Sequence, residues 1–196
     1  MTTFCYDYAD IKKNIFNHIL YEFEMYLDSC KLSSTTPPPD IDKRSWNNML
    51  VECHSIHLRI LLEFFGKSDP ERSTENHSVK KRKDNSKSTI TTRTIFNNPT
   101  SLDLVVTSEM KQPLNKALGH LTVERYRQGL ELSLKVIEVI NKMFYEEIPI
   151  RIKKCAELLL HKTGVKAEYS DDLNHPVIQS RLDNIIRRIE RFGRQS

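Results

Sequence analysis

Glycine is scarce in this chain, with five in 196 residues against an average near 7%. That scarcity argues against a glycine-rich phosphate cradle and against a sheet protein full of tight turns. Cysteine is present but never paired in sequence: Cys5, Cys30, Cys53 and Cys155 form no C-x-x-C, so the two close ligand pairs of a structural zinc site are missing. A chain of this length buries enough core to need no disulfide staples, and the four are expected to be thiols in a reducing compartment. No run approaches 18 uncharged apolar residues, so no membrane span is expected. The first residues, Met1-Thr2-Thr3-Phe4-Cys5-Tyr6-Asp7-Tyr8, lack the basic and apolar regions of a signal peptide. The expected location is cytoplasmic. P-loop, nucleophile-elbow, HExxH and EF-hand patterns are also missing.

What is present is charge, at 29% of residues, with a formal net of +4. It is unevenly placed. Residues 67–100 hold eight Lys/Arg against four Asp/Glu, and residues 175–196 hold five against two. The remainder is slightly acidic, so the basic character sits in an insert and a tail. Overall charge is then a poor argument for nucleic-acid binding. The run Lys80-Lys81-Arg82-Lys83 in a polar loop gives at most salt-sensitive affinity.

The apolar periodicity is helical throughout. Residues 7–32 read as a first helix, with Ile11, Ile15, Ile19, Phe23 and Tyr26 inward and Phe16, Leu20 and Leu27 widening the row. Pro37-Pro38-Pro39 follows and forces extended backbone. A second helix is expected from an N-cap at Ser45 to a stop at Gly66, along Trp46, Leu50, Cys53, His57, Ile60 and Phe64. From Lys67 to about Thr100 the period vanishes, which predicts a long flexible polar loop with one short β-prone piece at 90–96. Leu114, Ala117, Leu118 and Leu121 predict a short helix. Residues 123–147 predict a long one, along Leu130, Leu134, Ile137 and Ile140, broadened by Val136, Val139, Met143 and Phe144. Pro149 is expected to break it. Residues 150–162 form the next, with Ile152, Ala156, Leu159 and Leu160 inward and Gly164 as its stop. The last runs from 176 to 192 through Val177, Leu182, Ile185, Ile186 and Ile189. The expected architecture is all-α: one domain over 1–196, a single antiparallel bundle of five to six helices with 67–100 as an insert loop.

Five residues stand out as candidates for chemistry. His57 lies on the apolar row itself, three residues after His54, and the ordinary account of such a residue is a core histidine satisfied by one hydrogen bond. Two histidines at that spacing can reach one metal, but no third ligand follows, so no metal or other cofactor is expected. Arg59 has Glu63 at i+4, a pairing worth about 0.2–0.5 kcal/mol on an exposed helix. Asn115 and His120 are separated by about 140° on a helix and border one cleft only if another helix lies between them. Arg125 follows Thr122, a plausible N-cap.

His57-Leu58-Arg59 and Leu61-Leu62-Glu63-Phe64-Phe65, combined with Leu114-Asn115-Lys116, His120-Leu121-Thr122 and Arg125, resemble a group of uncharacterised bacterial all-helical proteins with His-x-Arg-x-Leu-x-x-Phe-Phe and Asn-Lys-x-x-x-His-Leu-Thr-x-x-Arg segments. More distantly, a polar residue a few positions before a helical histidine is similar to the HEPN superfamily. Many of its members are dimeric, metal-independent ribonucleases with an arginine four to six positions before the histidine. Asn115 stands here in the arginine's place.

That resemblance implies RNA as a partner and a homodimer as the assembly. His120 would be the general acid/base, and Arg59 or Arg125 would stabilise phosphate charge. The competing reading is a non-catalytic protein-interaction module or a subunit of a larger assembly, suggested by the near-balanced charge of the body.

Overall fold

The computed structural model describes residues 14–32, 35–66, 90–105 and 142–192. These are helical, with no strand among them; only isolated bridges pair Gly66 with Leu104 and Phe96 with Val165. The fold class is therefore all-α, as the periodicity predicts.

Helix α1 spans Ile15–Leu32 and buries Ile15, Phe16, Ile19, Leu20, Phe23, Tyr26 and Leu27, the row read from the sequence apart from Ile11, which with the expected start at residue 7 lies outside the described residues. Helix α2, Lys43–Phe65, packs along it. Phe23 of α1 stacks on Phe65 at 6.0 Å and meets Phe64 edge-on at the same distance. The start of α2 differs from the expected one. Asp42 is the N-cap, and its carboxylate accepts from the backbone N–H groups of Arg44 (3.0 Å) and Ser45 (2.9 Å). An anionic cap also complements the helix dipole, which the Ser45 hydroxyl could not do.

The inward face of α2 drifts from the expected row as well. Leu58, Leu61 and Phe65 are buried, whereas Ile60 is exposed. A strict alternation of 3 and 4 averages 3.5 residues per turn, and over several turns a 3.6-residue helix rotates away from it. Gly66 ends α2 in extended backbone, φ −63°, rather than in the left-handed stop expected there. The Phe65 carbonyl beside it accepts from Leu104 N–H at 2.9 Å.

Residues 90–100, assigned from sequence to the polar loop, are ordered against the core. Helix α3, Thr92–Ile95, is a single turn; Thr91 N–H donates to the Thr94 hydroxyl at 3.0 Å. The β-prone piece is thus helical, and Ile95 and Phe96 are buried. Asn97 N–H donates to Gly164, and Lys166 N–H to Ile95, both at 2.9 Å. Residues 67–89, the rest of the expected loop, lie outside the described residues.

Pro149 does not break its helix. A π-turn over Met143–Glu147 runs directly into α4, Ile148–Leu160, with Pro149 in its first turn. Helix α4 buries Ile152, Cys155, Ala156 and Leu159. It ends with Lys162 at φ 52°, Thr163 N–H donating to Leu158 and Lys162 N–H to Leu159. That is a Schellman ending with lysine in the left-handed position; Gly164, the expected stop, follows two residues later at φ 70°.

After the short α5, Ala167–Ser170, and a 3-10 turn at Asp172–Asn174, helix α6 runs Pro176–Phe192. It packs on α4 and α1. Leu182, Ile185 and Ile189 face inward as expected, but Ile178 is buried where Val177 was expected, and Val177 is exposed. Residues 176–192 of the basic C-terminal stretch are therefore part of the folded body. Arg181 makes two bonds to the Glu24 carboxylate (2.9 and 2.8 Å), and Arg188 reaches Asp28 at 2.6 Å. Cys30, Cys53 and Cys155 form no disulfide, and among the described residues no helix is long and apolar enough to cross a membrane.

Candidate functional site

The polar centre of the described chain lies where α1 and α2 cross. Glu22 flanks the buried row of α1, and His57 sits inside that of α2. His57 Nδ1 lies 2.7 Å from Glu22 Oε2, with side-chain exposures of 9% and 21%. An ionised carboxylate only accepts, so Nδ1 carries the proton and donates. In the neutral ring the lone pair is then left on Nε2. The Tyr21 ring meets the imidazole edge-on at 6.4 Å. Held on both sides, His57 has a fixed tautomer and orientation.

His54, one turn earlier, faces elsewhere. Its ring lies on Phe144 with centroids 4.7 Å apart, and its buried Nε2 has no hydrogen-bond partner. Burial lowers its pKa; a bond to the Ser29 backbone opposes this, and the neighbouring His57 adds slightly to the lowering. One histidine is directed at Glu22 and the other at Phe144. Among the described residues no group of three or more His, Cys, Asp or Glu could hold a metal ion. Cys53 is half-buried, and burial raises its thiol pKa, which disfavours the thiolate a nucleophile needs.

Arg59 is two residues beyond His57, about 200° around the helix, and the structure does not bring the two together. Its Nε lies 3.3 Å from Glu63 Oε1, with both side chains 50% exposed. It borders a row of apolar groups on the outer side of α2: Met49, Ile56 and Ile60 are 48%, 47% and 38% exposed, and Cys53 lies in line with them. Asn115, His120 and Arg125 lie outside the described residues.

Two participants escaped the sequence reading. Glu22 is 35 residues from its histidine and carries no local signal. Asp103 looks like a loop residue, yet it receives Arg93 at 2.8 Å, and its carbonyl receives Arg151 at 3.4 Å. Together they tie residues 90–105 to α4. No family model, no curated protein and no solved structure matches this chain.

Proposed function

We propose that this chain is a HEPN-like helical protein that binds RNA and cleaves it without a metal. His120 is the general acid/base. Arg59 or Arg125 stabilises charge on the scissile phosphate, with Asn115 as a further candidate. His57 is a positioning residue in this scheme, because its Nδ1 is committed to Glu22 inside the α1–α2 contact. The observation that supports the reading best is the state of Arg59. It stands half-exposed on the outer side of α2, and among the described residues its ion pair is with an i+4 glutamate. Such a pair is worth about 0.2–0.5 kcal/mol, so an incoming phosphate displaces it easily.

The test is incubation of the full chain with end-labelled single-stranded RNA in excess EDTA. Cleavage should persist without metal and fall at least about 100-fold in His120→Ala, the usual scale for losing a general acid/base. Arg59→Ala should weaken RNA binding and flatten its salt dependence. Cleavage unchanged in His120→Ala, or no RNA binding at low salt, would overturn the proposal.

A second reading, a non-catalytic interaction module, is favoured by the separation of His57 and Arg59 on opposite sides of α2. The described residues then hold no complete catalytic set. RNA assays that stay blank, with His120→Ala indistinguishable from the parent, would favour this reading.

A further inference from the structure

The RNA reading makes no use of Pro37-Pro38-Pro39, the stretch between α1 and α2. A single proline is enough to stop a helix, and α1 already closes at Thr35. Its N–H and its hydroxyl both bond to the Leu32 carbonyl, at 3.0 and 2.8 Å. Helix α2 starts separately on its Asp42 cap. Three consecutive prolines are therefore more than ending one helix and starting the next requires.

Their conformation follows from sterics. Each ring fixes φ near about −65°, and a residue that precedes proline is kept out of the helical region. Thr36, Pro37 and Pro38 all precede proline, so the three are extended, in the polyproline II range. The backbone there is neither helix nor turn and bends only at Pro39-Asp40. Ile41 N–H closes that bend on the Pro38 carbonyl at 3.0 Å, which puts Pro39 in the turn position that favours proline. Among the described residues, nothing from the helical body bonds to the Thr36 or Pro37 carbonyl. Pro38 and Pro39 are exposed and Pro37 is half-buried. Leu32 and Ile41, at either end of the stretch, are 40% and 36% exposed.

We propose that this stretch is a docking ridge for a different protein, taken up by a groove lined with tryptophan and tyrosine side chains. The chemistry of the ridge selects that occupant. Proline rings offer apolar C–H surface and no N–H donor, which flat aromatic faces cover. The Thr36 and Pro37 carbonyls accept from an indole N–H or a phenol O–H at the groove's edge. A preformed polyproline II turn has little conformational entropy to lose on binding. Thr36 and Asp40 flank the three prolines, so no Pro-x-x-Pro spacing exists and the groove is a single slot. A second copy of this chain does not supply its tryptophan, because the one it has, Trp46, is buried together with its Nε1. Asp40 and Asp42 are offset by Lys43 and Arg44, so the contact is apolar and insensitive to salt, unlike phosphate docking. It is independent of the RNA reading.

The full chain is titrated into an isotope-labelled WW domain, a module with such an aromatic slot, and followed by NMR. The indole signal of the slot should shift with a Kd below about 1 mM. Raising NaCl to about 300 mM should change that Kd less than about twofold. Pro38→Ala/Pro39→Ala should weaken binding at least about 5-fold, with circular dichroism reporting an unchanged helix content. If that variant unfolds, a hexaproline peptide in excess gives the second reading, since it should displace the parent from the slot. No shift at about 1 mM chain, shifts away from the slot, or binding untouched by both variant and peptide would overturn the proposal. So would a steep loss of binding with salt, which would assign the contact to charge. Self-association of the parent that the variant abolishes would assign the ridge to a second copy, with the same consequence.

Discussion

The Tyr26 hydroxyl donates to the carbonyl oxygen of Phe144, the acceptor that Pro149 leaves empty. In the π-turn Ile148 N–H bonds to Met143 five residues back. The next bond in that register would run from residue 149 to Phe144, and proline has no N–H to make it. A buried carbonyl without a partner is costly, and a side chain from α1 supplies the missing donor. Burial pushes the Tyr26 phenol far above its ordinary pKa, so the group remains protonated and a donor at every working pH.

Tyr26→Phe should therefore cost about 1–3 kcal/mol, the range for stranding a buried acceptor. Pro149→Ala restores a backbone N–H that can reach the same oxygen. In that background Tyr26→Phe should cost less, and a double-mutant cycle in urea should show coupling of at least about 0.5 kcal/mol. Strict additivity would mean the hydroxyl is not substituting for the proline's missing donor.

His54 gives the fold a pH dependence of defined sign. Its folded pKa is lowered, first by burial, so the unfolded chain binds the proton more readily. Stability is complete above the unfolded pKa of about 6.5 and declines as pH falls from there toward the folded value. His54→Phe should remove that decline while keeping an aromatic ring against Phe144. Denaturation midpoints at pH 7.5 and 5.5 provide the check, and equal slopes in parent and variant would contradict it.

Lys162 occupies left-handed backbone at φ 52°, a conformation costing a side-chain-bearing residue about 1 kcal/mol or more. Its ammonium group bonds to Asn174 at an exposed site, where such contacts return little. Lys162→Gly should leave stability unchanged or raise it by up to about 1 kcal/mol. A loss above 1 kcal/mol by thermal unfolding would show that the bond to Asn174 outweighs the strain.

Arg181 ties α6 to α1 through two bonds to Glu24 and one to Asn17 at 3.0 Å. The forked geometry is particular to guanidinium. Arg181→Lys should recover less than half of the stability lost in Arg181→Ala, a loss of about 1 kcal/mol for a partly exposed pair. Full recovery by lysine would mean that charge alone matters.

His57 shows how far sequence reasoning reaches at the candidate site. Its position on the apolar row predicts burial and one hydrogen bond, and the bond exists. Its partner was invisible, because Glu22 belongs to another helix and only the α1–α2 crossing brings the two within reach. Arg59 was better placed: an i+4 carboxylate is a local relation, and the Arg59–Glu63 pair forms as read. The ordering of residues 90–100 was missed for the opposite reason. Ser, Thr and Asn dominate the composition, and only burial of Ile95 and Phe96, with backbone bonds to residues 164 and 166, offsets the entropy of fixing the backbone.

By itself, the amino-acid order determined the all-helical class, the bounds of α6 and the inward rows of α1 and α4. Each depends on spacing within a few turns of one helix, which the chain carries locally. Tertiary structure decided which carboxylate holds His57 and that the helix passes through Pro149 without breaking. Each of these depends on an atom supplied from a distant part of the chain, and no local pattern encodes where that atom will be.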